Sequence, residues 1–187
     1  NLLISRQGIV KVADFGIARL QGDASLTQAG TAMGSPLYMS PEQVEGATLS
    51  GKSDVYSLAS SIYRMAAGHP PVEAEHVHGI MWRIASQDAP ELRAANSDIP
   101  KGLSDLVKRM HIRAADKRPA MEEAAHDLRQ WLASQGVLDP AEHLRNELGF
   151  PQASTLRPTG APGTATGTQV SRNTATSLIT DALGWFK

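Results

Sequence analysis

Between Ser53 and Gly68 the sequence places Val55, Leu58, Ala59, Ile62 and Met65 at three- and four-residue spacing, with Asp54 and Arg64 as the only charges. That spacing draws one apolar stripe along an α-helix, and so few charges leave no face suited to water. The helix must be enclosed by other elements. Ser53 or Asp54 is the expected N-cap, and Gly68, shortly before Pro70 and Pro71, the expected stop. Three more amphipathic helices are predicted to surround it. They carry Val77, Ile80, Met81 and Ile84, then Leu103, Leu106, Val107 and Met110, then Met121, Ala124, Ala125, Leu128 and Leu132. Asp139 and Pro140 suit the N-cap and first position of a last short helix through Leu144 and Leu148, which Gly149 ends. The one clear β signal is "LLIS", "RQG" and "IVKVAD", read as a hairpin over residues 2–13 with Gly8 in its turn. The expected fold is mainly α with a short β-hairpin.

At 187 residues and 41% hydrophobic content the chain suits one ordinary domain. A formal charge of -1, from 18 basic and 19 acidic residues without long blocks, leaves no footprint for nucleic acid or an anionic membrane. The absence of cysteine excludes a disulfide framework and a thiolate metal site. No apolar run approaches the roughly 20 residues of a membrane helix, and no signal peptide opens the chain. A cytoplasmic chain is expected, of a parent that is free to carry a membrane anchor elsewhere. Because the sequence opens with Asn rather than Met, it reads as a fragment.

Two stretches resist assignment to helix or strand. Residues 17–40 are rich in Gly, Ser, Thr and Ala and are predicted to form a long loop of the kind that carries function. Residues 152–177 are dominated by Thr, Gly, Ala, Pro and Ser, too apolar-poor to offset the entropy of ordering them. The division expected is a folded part over 1–150 and a disordered linker or tail over 151–187. "SLITDALGWFK" at the end regains apolar residues without committing to an element.

The chemistry-bearing motifs lie in order along the folded part. "VKVADFGIARL" runs a strand into Asp14, Phe15 and Gly16; "GSPLYMSPEQ" occupies 34–43; "KSDVYSLA" opens the apolar helix; "AADKRPA" holds Arg118. Together these resemble the D-F-G, A-P-E, central-helix and structural-arginine elements of protein kinases. With "YMSPEQ" and "GHPPV", the wording is most similar to the bacterial branch of the eukaryotic-like (Hanks-type) Ser/Thr kinases. The resemblance covers residues 1 to about 135 and implies the helical C-terminal lobe, without the N-terminal lobe.

The resemblance implies a set of roles. Asp14 would be a magnesium ligand on ATP phosphates. Asn1 would close the catalytic loop H-R-D-x-x-x-x-N and meet the second magnesium, so the catalytic Asp, the Gly-rich loop and the phosphate-pairing lysine would precede residue 1. ATP and magnesium are the implied cofactors, and a protein with a Ser or Thr hydroxyl and the missing N-lobe are the implied partners. Glu42 and Arg118 would form an ion pair tying the loop to the helical core, and Asp54 would brace the catalytic loop, with simple helix capping as its competing role. Ser35 would position the substrate, standing where the family commonly has threonine. Thr27 and Thr31 are candidate phosphorylation sites, since a phosphate orders a loop by pairing with arginine.

The implied function is transfer of the ATP γ-phosphoryl group to protein Ser/Thr hydroxyls, with this chain inactive by itself. A non-catalytic pseudokinase scaffold is the rival, and an in-frame H-R-D and strand lysine upstream of Asn1 would separate the two. "HPPVEAEHVH" gathers His69, Glu73, Glu75, His76 and His78. Residues 76 and 78 diverge on a helix, so the stretch reads as a bland loop and helix start rather than a zinc site.

Overall fold

A computed structural model of the chain describes residues 2–13 and 36–150. Asn1, Asp14, Thr27, Thr31, Ser35 and the tail expected over 151–187 lie outside the described residues. Two compact units emerge, one of residues 14–131 and one joining residues 1–13 to 132–187.

The unit of residues 14–131 is built on α2, Gly51–Ala67, preceded by α1, Pro41–Glu45. Its cap differs from expectation. Ser50, not Ser53 or Asp54, is the N-cap; its hydroxyl accepts from Lys52 N at 3.3 Å, while the Ser53 hydroxyl reaches back to Ser50 N at 3.4 Å. That reciprocal box starts the helix at Gly51 and leaves Asp54 inside the first turn. At the other end Gly68 adopts φ 82°, a left-handed geometry that glycine takes without penalty, and its N–H closes on Arg64 O at 2.9 Å.

α3 (Val77–Ser86), α4 (Leu92–Ala95), α5 (Lys101–Met110) and α6 (Met121–Ser134) follow, α6 running into the other unit over its last residues. α5 and α4 pack on α2, and α1 meets α3. The core gathers Val55, Ala59 and Tyr63 of α2 with Ile84, Leu92, Ile99, Val107 and Met110. The buried stripe of α2 is rotated from the predicted one: Ser53, Tyr56, Ser60 and Tyr63 are buried, whereas Leu58, Ile62 and Met65 are half-buried. Ser60 tolerates this because its hydroxyl donates to Tyr56 O at 3.2 Å and meets His111 Nε2 at 2.7 Å.

In the other unit β1 (Leu2–Ile4) and β2 (Val10–Val12) pair antiparallel, with Leu3 opposite Lys11. Gly8 turns the hairpin at φ 77°. A Cβ there would lie 1.9 Å from the Ala141 carbonyl oxygen, so only glycine fits. α7 is Pro140–Glu147; the Asp139 carboxylate accepts from Ala141 N at 2.9 Å and Glu142 N at 3.1 Å. Gly149, at φ 67°, ends it, with Phe150 N bonding Arg145 O at 3.0 Å.

Candidate functional site

α1 delivers the first member of the site. Ser40 caps it, Pro41 holds the first position with the φ a helix requires, and Gln43 Oε1 accepts from Ser40 N at 2.7 Å. These five residues aim Glu42 inward, where its side chain is 10% exposed. The second member, Arg118, follows a 3-10 turn over Ala115–Lys117 and has no exposed side-chain surface.

Separated by 76 positions, the two residues meet in a fork. Arg118 Nη1 donates to Glu42 Oε1 at 2.7 Å and Nη2 to Oε2 at 2.9 Å. The remaining guanidinium hydrogens go to the carbonyls of Ile112 at 2.5 Å, Lys52 at 2.9 Å and Arg113 at 2.7 Å. Five N–H groups find five acceptors, the full donor capacity of arginine. Ser53 donates to Glu42 Oε1 at 2.7 Å, and Lys52 Nζ donates to the Arg118 carbonyl, so two adjacent residues of α2 bind the pair from both sides. Burial alone would raise the Glu42 pKa, but the hydrogen bonds from Arg118 and Ser53 outweigh it and bring it down to about 2.

A column of aromatic rings backs the pair. The Arg118 guanidinium lies 4.9 Å from the Tyr56 ring centroid, and Tyr56 stacks on His111 at 3.9 Å and 19°. Burial, chiefly, raises the Tyr56 hydroxyl to about 12. Burial first, and the Arg118 charge second, lower His111 to about 3, so the imidazole is neutral.

The residue preceding this segment, Ser35, lies outside the description, but the segment itself is pinned: Ser57 Oγ donates to Tyr38 O at 2.7 Å. Asp54 is exposed in the first turn of α2, and among the described residues no hydrogen bond to it is found. His69 Nδ1 meets the Pro70 carbonyl at 2.9 Å, and among the described residues no three His, Asp or Glu side chains converge as a metal site. Sequence reasoning gave Ser53 only a capping role and missed Lys52, Tyr56, Ser57, Ser60 and His111. The Ser-Pro-x-Gln capping pattern at 40–43 was the available cue to α1; the others are ordinary residues whose roles arise from packing.

The protein kinase domain family matches residues 1–131, and this chain belongs to that family. Among its relatives are bacterial serine/threonine kinases. It is 30% identical over 120 residues to the DNA damage-responsive serine/threonine-protein kinase RqkA of Deinococcus radiodurans, covering 64% of this chain and 18% of that one. Serine/threonine-protein kinase PknL of Mycobacterium tuberculosis is 36% identical over 107 residues, 57% of this chain and 27% of that protein. The probable serine/threonine-protein kinase PknB of Bifidobacterium longum is 41% identical over 103 residues, 54% of this chain and 15% of that protein. The chain thus spans roughly a quarter or less of each of these relatives. Among the described residues no helix is long and apolar enough to cross a membrane.

Proposed function

We propose that this chain is the helical lobe of a protein serine/threonine kinase that transfers the ATP γ-phosphoryl group to Ser or Thr hydroxyls of proteins, and that it needs the N-terminal lobe of its parent to do so. The observation that carries the reading is the buried fork between Glu42 and Arg118. It ties the segment after Ser35 to α2 and the turn at 115–117, where a substrate-positioning loop requires a fixed floor.

Within this reading Ser35 orients the acceptor hydroxyl, Asp54 braces the catalytic loop, and phosphorylation of Thr27 or Thr31 orders the loop before Ser35. Asn1 and Asp14 offer an amide oxygen and a carboxylate, hard donors that suit magnesium, and would hold it. Bound there, the ion neutralises charge on the ATP phosphates. The ATP-requiring chemistry places this lobe in the cytoplasm, whatever anchor the parent carries.

The test is reconstitution. Joined to the parent's upstream sequence, the chain is expected to phosphorylate a generic Ser/Thr protein substrate with radiolabelled ATP, and Asp14→Ala is expected to abolish most of that activity. Full activity in the Asp14→Ala enzyme would refute the magnesium assignment. Robust activity from residues 1–187 alone would refute the dependence on a second lobe.

A further inference from the structure

The hairpin over residues 2–13 has little of its own to hold it. Its strands are three residues each, and Leu2, Leu3, Ile9, Val10 and Val12 are exposed. Two strands alone are marginal in water, so the hairpin depends on what it rests against. Of its residues only Gly8 is buried. Over it lies the carbonyl of Ala141, in the first turn of α7, so close that a Cβ on Gly8 would sit 1.9 Å from the oxygen.

Both sides of that contact are internally bonded. In the turn, Gly8 N donates to Ser5 O at 2.9 Å and Ser5 N to Ile9 O at 2.9 Å, while the Ser5 hydroxyl accepts from Gln7 N at 3.3 Å and Ile9 N at 3.2 Å. On the helix side Pro140 holds the first position, and the Asp139 carboxylate accepts from the Ala141 and Glu142 amides. Just before α7, Gly136 stops α6 at φ 84°, with Val137 N bonded to Leu132 O at 3.0 Å. A displacement of α7 is therefore a displacement of the turn.

The opposite end of the hairpin leads to the proposed chemistry. Its register pairs Leu2 with Val12; Asn1 adjoins Leu2 in sequence, and Asp14 stands two residues past Val12. That strand end sets where both proposed magnesium donors begin. α7 itself lies beyond residues 1–131, which the kinase domain family matches. We propose, on the magnesium reading of Asn1 and Asp14, that α7 clamps the hairpin through Gly8 and thereby positions those two residues for phosphoryl transfer.

Leu144→Pro tests the clamp without touching the hairpin, since proline inside an eight-residue helix breaks it. Gly8→Ala separates the same contact from the other side, and Asn146→Ala, an exposed change on α7, is the control. In the 187-residue chain, hydrogen exchange read by mass spectrometry is expected to be at least about tenfold faster across the hairpin in the first two variants and unchanged in the third. In the parent with its upstream sequence, the same two variants are expected to raise the magnesium concentration for half-maximal phosphorylation at least about tenfold. KM for the protein substrate should stay unchanged, because the Glu42–Arg118 fork is left intact. Hairpin protection that survives Leu144→Pro would overturn the clamp. Faster exchange with an unaltered magnesium requirement would overturn the positioning role. Full activity in Asp14→Ala would sink the magnesium reading and the positioning role with it, whereas the exchange measurement decides the clamp independently.

Discussion

Replacing Arg118 by alanine removes more than an ion pair. The Glu42 carboxylate, 10% exposed, would keep only the Ser53 hydroxyl as a side-chain partner, and the carbonyls of Lys52, Ile112 and Arg113 would each lose a donor. Tyr56 would lose the cation on its ring face. Removing one partner of a buried pair costs about 3–5 kcal/mol, and the orphaned carbonyls put Arg118→Ala at the upper end. Glu42→Ala belongs at the lower end, because the guanidinium keeps its three carbonyl acceptors and its place over Tyr56. With a urea slope of about 2 kcal/mol per molar, the two variants should lose roughly 1.5–2.5 M of denaturation midpoint.

Helical circular dichroism followed through urea, on the wild type, both single variants and the double variant, measures this directly. Glu91→Ala serves as the control, since its pair with Lys108 is solvent-exposed and should barely matter. The double variant leaves no unpaired charge and is expected to fall short of the summed single losses by about 1–3 kcal/mol. Additive losses, or single-variant midpoints as close to the wild type as that of Glu91→Ala, would refute the reasoning, because water would then be serving the guanidinium as well as Glu42 does.

Acidification should act in two windows. His111 titrates near 6.5 when unfolded and near 3 when folded, so the unfolded chain takes the extra proton and stability falls as pH drops from about 6.5 to 3; His111→Leu should remove this early loss in urea titrations. Glu42, at about 2 folded against 4.5 unfolded, contributes stability that is complete above 4.5 and disappears as pH falls through 2, a limb that Glu42→Gln should flatten. In the other unit, Gly8→Ala meets both a left-handed backbone at φ 77° and the Ala141 carbonyl, so hydrogen exchange should show the hairpin opening with a loss of at least about 1 kcal/mol. A hairpin as protected as the wild type would show that the turn can rebuild around a side chain.

The long helices were legible because periodicity needs several turns to declare itself. α3, α5, α6 and α7 repeat their apolar residues often enough, and Asp139-Pro140 even marks a start. α1, with five residues, and α4, with four, are too short to show a period. The inner face of α2 was misjudged for a different reason. Hydrophobic spacing favours Leu58, Ile62 and Met65, but a serine is as good a core residue as an alanine once its hydroxyl has a partner, and Ser60 finds one in His111. No pattern in a single sequence reveals that partner 51 positions away. Glu42 and Arg118 were named together only through the kinase resemblance, since local physics does not link residues 76 apart.

The anchor and the chemistry separate physically. Ser53 and Ser57 stand one helical turn apart on the same face of α2, where their short side chains let the segment over residues 38–42 approach closely. One hydroxyl takes the Tyr38 carbonyl and the other the Glu42 carboxylate, so the segment is held at two points before Arg118 closes the fork from behind. Every partner in that chain of bonds is a side chain or carbonyl between residues 38 and 118. Denaturation of this chain therefore interrogates the anchor alone. Phosphorylation by the reconstituted parent interrogates the proposed roles of Asn1 and Asp14 as magnesium ligands and of Ser35 as the substrate-positioning residue. A lobe that passes the first test and fails the second would be a scaffold with kinase architecture, and one that passes both would need the same bonds to hold its substrate floor while phosphate is transferred.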